Sequence, residues 1–193
     1  MRREGEKANP AEGASSPARP LASSTSSRAL RLITFRVGPE TFVLDIMAVR
    51  QIITYAGSTS VPTAPDFVEG IIVLRNEVIP IIDLRDRLYP QMRERAEQPL
   101  VLITHSKAGM IGLKVDEVRR IVNVSSDELL PPPQLVRGIR GELLIAVIKQ
   151  QDEIYLLIDL ENLLTGAEKV ELRDAELHAS THAAEGGRQK AEV

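Results

Sequence analysis

A reactive site needs ionisable side chains that converge, and this chain offers few candidates. His105 is the histidine inside the apolar middle of the sequence, while His178 and His182 stand four apart near the C-terminus. That spacing puts two imidazoles on one helix face, which holds a metal only with further ligands. Asp45, Asp83, Asp116 and Asp159 are the carboxylates best placed for acid–base work. Asp83 and Asp159, however, occupy matched positions where apolar runs hand over to short helical patterns, and capping of backbone N–H groups accounts for both. There is no cysteine, which removes disulfides, thiolate nucleophiles and zinc–thiolate sites. No Gly-x-Ser-x-Gly elbow supplies a serine to His105, and no glycine-rich loop supplies a phosphate cradle. These residues predict no catalytic group, no metal and no cofactor, with His105 solvated beside a hairpin turn.

The elements that position these side chains are written twice. Residues 32–52, LITFRVGPETFVLDIMAVRQI, align without a gap on residues 101–121, VLITHSKAGMIGLKVDEVRRI, at a shift of 69. Pro65-x-x-Val68-Glu69-Gly70-Ile71 answers Pro133-x-x-Val136-Arg137-Gly138-Ile139, and Val78 to Leu84 answers Ile154 to Leu160. Each copy reads as a hairpin (32–37 with 41–46; 100–104 with 110–115), a short ambiguous segment, a proline-bearing loop and a second hairpin (70–74 with 77–82; 143–148 with 154–158). Met47 to Ile53 fits either a helical turn or a strand. Pro80 predicts an edge or a bulge. Asp83 opens a short helix over Leu84 to Leu88, and Asp159 another through Leu163 and Leu164. The polar stretch from Tyr89 to Pro99 links the copies.

Composition bounds the rest. The chain has 193 residues, is 43% hydrophobic and contains three Phe, three Tyr and no Trp, so its core is aliphatic. Net charge is +3 over residues 1–31, −4 over 32–164 and −2 over 165–193. The body therefore has no basic field for nucleic acid, and basic residues are not interleaved with stacking aromatics. The longest apolar run is too short to span a bilayer, and Met1 to Lys7 leads into no apolar signal core, so a cytoplasmic protein without membrane insertion is expected. Residues 1–30, rich in Pro, Ala and Ser, are expected to be disordered; residues 166–193 form a second tail, helical over 167–179 and disordered beyond.

The motif Pro62-x-x-Pro65-x-x-Val68-x-Gly70-Ile71-Ile72-x-Leu74-Arg75-x-x-Val78-Ile79-Pro80-Ile81-Ile82-Asp83-Leu84-Arg85 resembles the central motif of the CheW family, the coupling proteins of bacterial chemotaxis. Phe35-x-Val37-Gly38, Phe42-x-Leu44-Asp45, Val49-x-x-Ile52, Gly112-Leu113-x-Val115-Asp116-x-Val118, Pro131 to Pro133 and Ile158-Asp159-Leu160 extend the similarity over residues 31–165. The resemblance implies a mainly β fold of two packed five-stranded, SH3-like barrels with short helices, the first over 31–89, a linker at 90–99 and the second over 100–165. It also implies a non-enzymatic adaptor that joins chemoreceptor cytoplasmic tips to the regulatory domain of the histidine kinase CheA, associated with membrane receptor arrays through those partners. The absence of a receiver or kinase pattern favours a stand-alone coupling protein. Coupling in surface motility or gene regulation, a ligand-binding β-barrel sensor and a small hydrolase using Asp83 or His105 are the alternatives.

Residues expected to meet a partner are Arg75 and Asn76 at the second hairpin tip, Gln51, and the apolar seam of Val49, Ile52, Val68, Gly70 and Ile71. The turns at 38–40 and 107–109 are candidates for kinase contact. Where relatives carry Arg-Gly this chain has Arg75-Asn76, and Asn tolerates a left-handed backbone. Where relatives often carry Glu it has Gln51, which is expected to accept a hydrogen bond from Arg75 without charge assistance.

Overall fold

The computed structural model describes residues 29–165, apart from positions 63, 108, 134, 137, 138 and 151, together with Glu168. The expectations for residues 1–28 and for the C-terminal helix and tail lie outside the described residues. The first copy forms β1 (Ala29–Val37), β2 (Glu40–Asp45), a 3-10 turn (Ile46–Ala48), β3 (Val49–Thr54), β4 (Val68–Leu74), β5 (Glu77–Asp83) and helix α1 (Leu84–Leu88). The second forms β6 (Leu100–Ser106), β7 (Gly109–Val115), β8 (Glu117–Ser125), a 3-10 turn (Ser126–Glu128), β9 (Leu129–Leu130), β10 (Leu135–Val136), β11 (Ile139–Arg140), a 3-10 turn (Gly141–Leu143), β12 (Leu144–Gln150) and β13 (Glu153–Ile158). The ambiguous stretch after β2 is thus both a helical turn and a strand.

The sheets do not follow the copies. One sheet runs β8-β1-β2-β13-β12-β9 and the other β3-β6-β7-β5-β4, with β10-β11 as a separate ribbon. Each sheet takes its first hairpin from one copy and its remaining strands from the other. Four pairs join the copies: β1 with β8 and β3 with β6, both antiparallel, and β2 with β13 and β5 with β7, both parallel. Matched residues meet in matched register, Val43 with Leu157 and Gly112 with Ile81. The boundary at 90–99 therefore separates two copies in sequence without separating two sheets. The pairings give two sheets of six and five strands, not two closed five-stranded barrels.

Connector chemistry explains the exchange. The β1–β2 turn has Gly38 at φ 59°, and the β4–β5 turn has Arg75 and Asn76 at φ 51° and 72°. Positive φ at the centre of a tight turn folds a strand back on its neighbour. Ile46–Ala48 has no such residue; Asp45 accepts the Met47 N–H at 2.9 Å and winds the chain into a 3-10 turn that carries β3 out of the first sheet.

Strands β1, β2, β5, β6, β7 and β13 bury runs of consecutive residues and so are apolar on both faces, while β3, β8 and β12 alternate between buried or half-buried and exposed positions. A shared core between the sheets contains Phe35, Phe42, Ile82, Leu102, Leu113 and Leu156. The first sheet keeps a second core of its own around Leu32, Val43, Ile148 and Tyr155, and the other keeps Ile79, Ile81, Val101 and Ile103.

Two local readings change. Pro80 lies in an inner strand, because β5 sits between β7 and β4. Its partner Ile71 turns both backbone groups away to Thr59, each bond 2.8 Å, and pairing with β7 begins only at Ile81. The missing donor thus falls where neither ladder requires it. Asp159 caps as expected, accepting the Glu161 and Asn162 N–H groups at 2.9 and 3.1 Å, but residues 160–164 form turns and bends instead of a helix.

Gly70 sits at a bulge in β4 with φ 146°, and a Cβ there would collide with the Thr59 carbonyl oxygen. Gly70→Ala is expected to cost roughly 2–5 kcal/mol, from overpacking plus backbone strain, read as a fall in denaturant midpoint. Separately expressed halves 29–92 and 93–165 should each be unfolded by circular dichroism and recover β structure on mixing, because each lacks the hairpin that completes its sheets.

Candidate docking surface and the charged cleft beside it

The predicted contact residues fall on the two edges of one sheet. Val49, Gln51 and Ile52 lie on β3, at one edge of the five-stranded sheet; Val68, Gly70 and Ile71 lie on β4, at the other. Arg75 and Asn76 form the exposed two-residue tip that follows β4. The loop after β3 crosses to β4 through the Thr59–Ile71 bridge and joins the two edges.

Exposure sorts these residues. Val68 belongs to the shared core and Val49 packs against it; Gly70 and Ile71 are buried beneath the Thr59 bridge. Ile52 is 42% exposed, and Gln51, its neighbour on the alternate face, is half-buried. No hydrogen bond joins the described side chains of Arg75 and Gln51, so the expected pairing is not made. Sequence reasoning missed Met47, 84% exposed, and Val73, 64% exposed. Val73 was readable, since strand alternation puts it on the face of Ile71. Met47 owes its exposure to the 3-10 turn, which no local pattern announces.

Beside this surface lies a cleft of about 350 Å³ whose charged lining is Glu69, Asp83, Arg85, Arg95, Lys114 and Asp116. The parallel β5–β7 pair sets Asp83 opposite Lys114. Lys114 Nζ lies 3.0 Å from Asp83 Oδ2 and 2.8 Å from Glu69 Oε2, and 4.7 Å above the Tyr55 ring. Tyr55 donates to Glu69 Oε1 at 3.0 Å. The other Asp83 oxygen caps α1, accepting the Arg85 and Asp86 N–H groups at 2.8 and 3.2 Å. The buried Arg85 guanidinium pairs with Asp116, which also accepts the Gly38 N–H at 2.7 Å. Burial opposes the charge on Lys114, but its hydrogen bonds to Glu69 and Asp83 outweigh that and hold its pKa above the ordinary value. Burial first, and then Glu69, raise the Tyr55 hydroxyl, against the pull of Ser58. Lys114 therefore stays charged, and its contribution to stability is complete at neutral pH and lost only as pH rises through its raised pKa.

This arrangement is closed to chemistry. Asp83 and Asp116 are committed to caps and ion pairs. His105 is exposed on β6 and outside the cleft lining. Asp45 and Asp159 each cap a turn. Glu69, Asp83 and Asp86 offer oxygens within 4.8 Å of one another, but the Lys114 ammonium already bridges two of them and supplies the positive charge a metal would bring. The face of the five-stranded sheet at Gly112 is closely packed as well, since a Cβ there would strike Ile81 and Val101.

A sequence model of the CheW-like domain matches residues 31–168. The chemotaxis protein CheW of Treponema pallidum is 32% identical over 142 residues, spanning 72% of this chain and 84% of that protein. The chemotaxis protein CheW of Rhizobium meliloti is 32% identical over 138 residues, spanning 72% and 89%. The crystal structure of the scaffolding protein TtCheW from Thermoanaerobacter tengcongensis superposes with a TM-score of 0.67 at 27% identity, covering 73% of this chain and 91% of that one.

Arg85→Ala leaves the buried Asp116 carboxylate with the Gly38 N–H and the more distant, partly exposed Arg36 guanidinium at 3.7 Å, and is expected to cost about 3 kcal/mol by chemical denaturation. In an Asp116→Asn background, where the Gly38 N–H keeps an acceptor and the buried charge is gone, the same change should cost less than half as much.

Proposed function

The chain belongs to the CheW-like family, and from that premise we propose that it is a non-enzymatic chemotaxis scaffold that holds a chemoreceptor cytoplasmic tip and the regulatory domain of the histidine kinase CheA side by side at membrane receptor arrays. No described helix is long and apolar enough to cross a membrane; in this reading association with the arrays runs through the partners. The observation that carries the docking reading is the gathering of all eight predicted contact residues on the two edges and the hairpin tip of one sheet. A receptor helix lies over the exposed Ile52 of β3 and Val73 of β4, with Val49, Val68 and Ile71 packed beneath as support and Arg75 reaching its polar side. Arg75 suits that role because it is exposed at a turn with φ 51°, free to form paired hydrogen bonds with a carboxylate.

We infer also that each sheet curls toward a barrel. Strands β8 and β9, at opposite edges of the six-stranded sheet, are joined by Ser126–Glu128 alone. A flat sheet of that width holds its edges about 24 Å apart, while so short a link reaches roughly 14 Å. The Thr59–Ile71 bridge supports the same curling of the five-stranded sheet.

Arg75→Gly tests the docking reading, because glycine suits the positive φ while the guanidinium is lost. Titration calorimetry should show at least one partner bound about tenfold more weakly, a loss of about 1.4 kcal/mol, with the thermal midpoint unchanged or slightly higher. Unmodified protein that binds neither the receptor tip nor the kinase domain removes the proposal; a large stability loss in Arg75→Gly makes Arg75 structural.

A further inference from the structure

The two sheets are built to one plan, yet only one of them carries the Lys114 cluster. At the shift of 69 that relates the copies, the residue matching Lys114 is Asp45. Asp45 is exposed and accepts the Met47 N–H at the start of its 3-10 turn. If a half-buried lysine were needed to complete such a sheet, the twin would need one too. The sheet that has it is the one whose edges bear the predicted contact residues.

Lys114 also touches every element that holds those edges together. Its ammonium binds Glu69 on β4 and Asp83 on β5, and its charge lies over the ring of Tyr55, the residue that follows β3. Tyr55 Oη meets Ser58 Oγ at 2.9 Å, and Ser58 Oγ donates to the Glu69 carbonyl at 3.2 Å. The next residue, Thr59, forms the two-bond bridge to Ile71. The chain of contacts therefore runs Lys114, Glu69, Tyr55, Ser58, Thr59, Ile71, from the middle of the sheet to the loop that ties β3 to β4.

We propose that Lys114 is a positioning residue for docking: by gripping Glu69 beneath Tyr55 it locks the 55–59 loop onto β4 and so sets the spacing between Ile52 on β3 and the Ile71–Arg75 segment. Without its ammonium, Glu69 and Asp83 face each other across like charges, with Asp86 close by. Glu69 then swings outward to water, Tyr55 loses its acceptor and the Thr59–Ile71 bridge opens. The proposal rests on the docking reading above.

The test uses the full chain with Lys114→Met, which keeps the length of the side chain, and Lys114→Arg, which keeps the charge. In the free protein, Lys114→Met is expected to speed hydrogen exchange at the Thr59 and Ile71 amides about tenfold or more, while amides of Val43 and Leu157 in the twin sheet hold their rates. The same variant binds its partner about fivefold more weakly, and Lys114→Arg recovers most of both effects. In the Lys114→Met background a further Glu69→Gln change removes the like-charge pair and keeps an acceptor for Tyr55, so it is expected to slow the exchange part-way back toward wild type. Unchanged exchange at Thr59 and Ile71, or equal acceleration in both sheets, overturns the proposal, as does undiminished binding after the bridge has opened. Wild-type protein that binds neither partner refutes the docking reading alone, and the clamp is then decided by the exchange rates.

Discussion

Four strand pairs join the two copies, and two of them, β2 with β13 and β5 with β7, are parallel. Parallel neighbours cannot be linked by a tight turn, so such a pair needs chain that travels elsewhere before returning. Here the travel is made through the other sheet. Neither copy can complete a sheet without the other, and the shared core with Phe35 and Phe42 from one copy against Leu102 and Leu113 from the other has no single-copy equivalent. Folding is therefore cooperative over the body as a whole, and the polar linker at 90–99 is a connection between intertwined copies, not a hinge between domains.

The same joint places the buried charge. Where β5 ends and α1 begins, Asp83 must leave the apolar sheet interior and satisfy the first N–H groups of the helix. Its remaining oxygen faces β7 in register with Lys114. Two residues later Arg85 meets Asp116, whose oxygen also binds the β1–β2 turn at Gly38. Residues that look like candidates for acid–base chemistry in the sequence are thus fastenings at the end of a parallel strand pair. Buried ion pairs of this kind stabilise weakly against an apolar substitute but are costly to break singly. That asymmetry suits a fastening that specifies one arrangement of strands.

Much of this was legible in the chain. The duplication, the hairpin turns at Gly38 and at Arg75-Asn76, the caps at Asp83 and Asp159 and the closed character of the potential active-site residues all follow from local pattern. What local pattern does not contain is which hairpin pairs with which strand. Val43 reads identically whether it faces Leu157 or a strand of its own copy, and only the lack of a positive-φ residue in Ile46–Ala48 hints that β2 and β3 part company. Pro80 misled for a related reason. Its place in an inner strand depends on Ile71 turning to Thr59, a contact made by a loop. Lys114 carried no signal, since a lysine in an otherwise apolar strand reads as a solvent-facing residue until Asp83 and Glu69 are set around it.

A scaffold differs from an enzyme in where it can tolerate strain. At the β5–β7 joint Asp83 and Asp116 are held by caps and ion pairs, while local preference is broken at an exposed tip. Arg75 and Asn76 both hold positive φ, where glycine is easier and an arginine costs of order 1 kcal/mol or more. The turn geometry matches the right-handed twist of β4 and β5, so the backbone there is dictated by the hairpin and not by the residues that occupy it. Keeping an arginine at such a position sacrifices stability for a side chain that no described residue engages, and departures of this kind from local consistency concentrate at functional sites. The tip projects from the edge strand β4, on the sheet that Lys114 ties together. Strain at the tip and rigidity beneath it are complementary: a guanidinium held on a fixed base presents one geometry to a partner, whereas the same group on a loose edge would have to be ordered at each encounter.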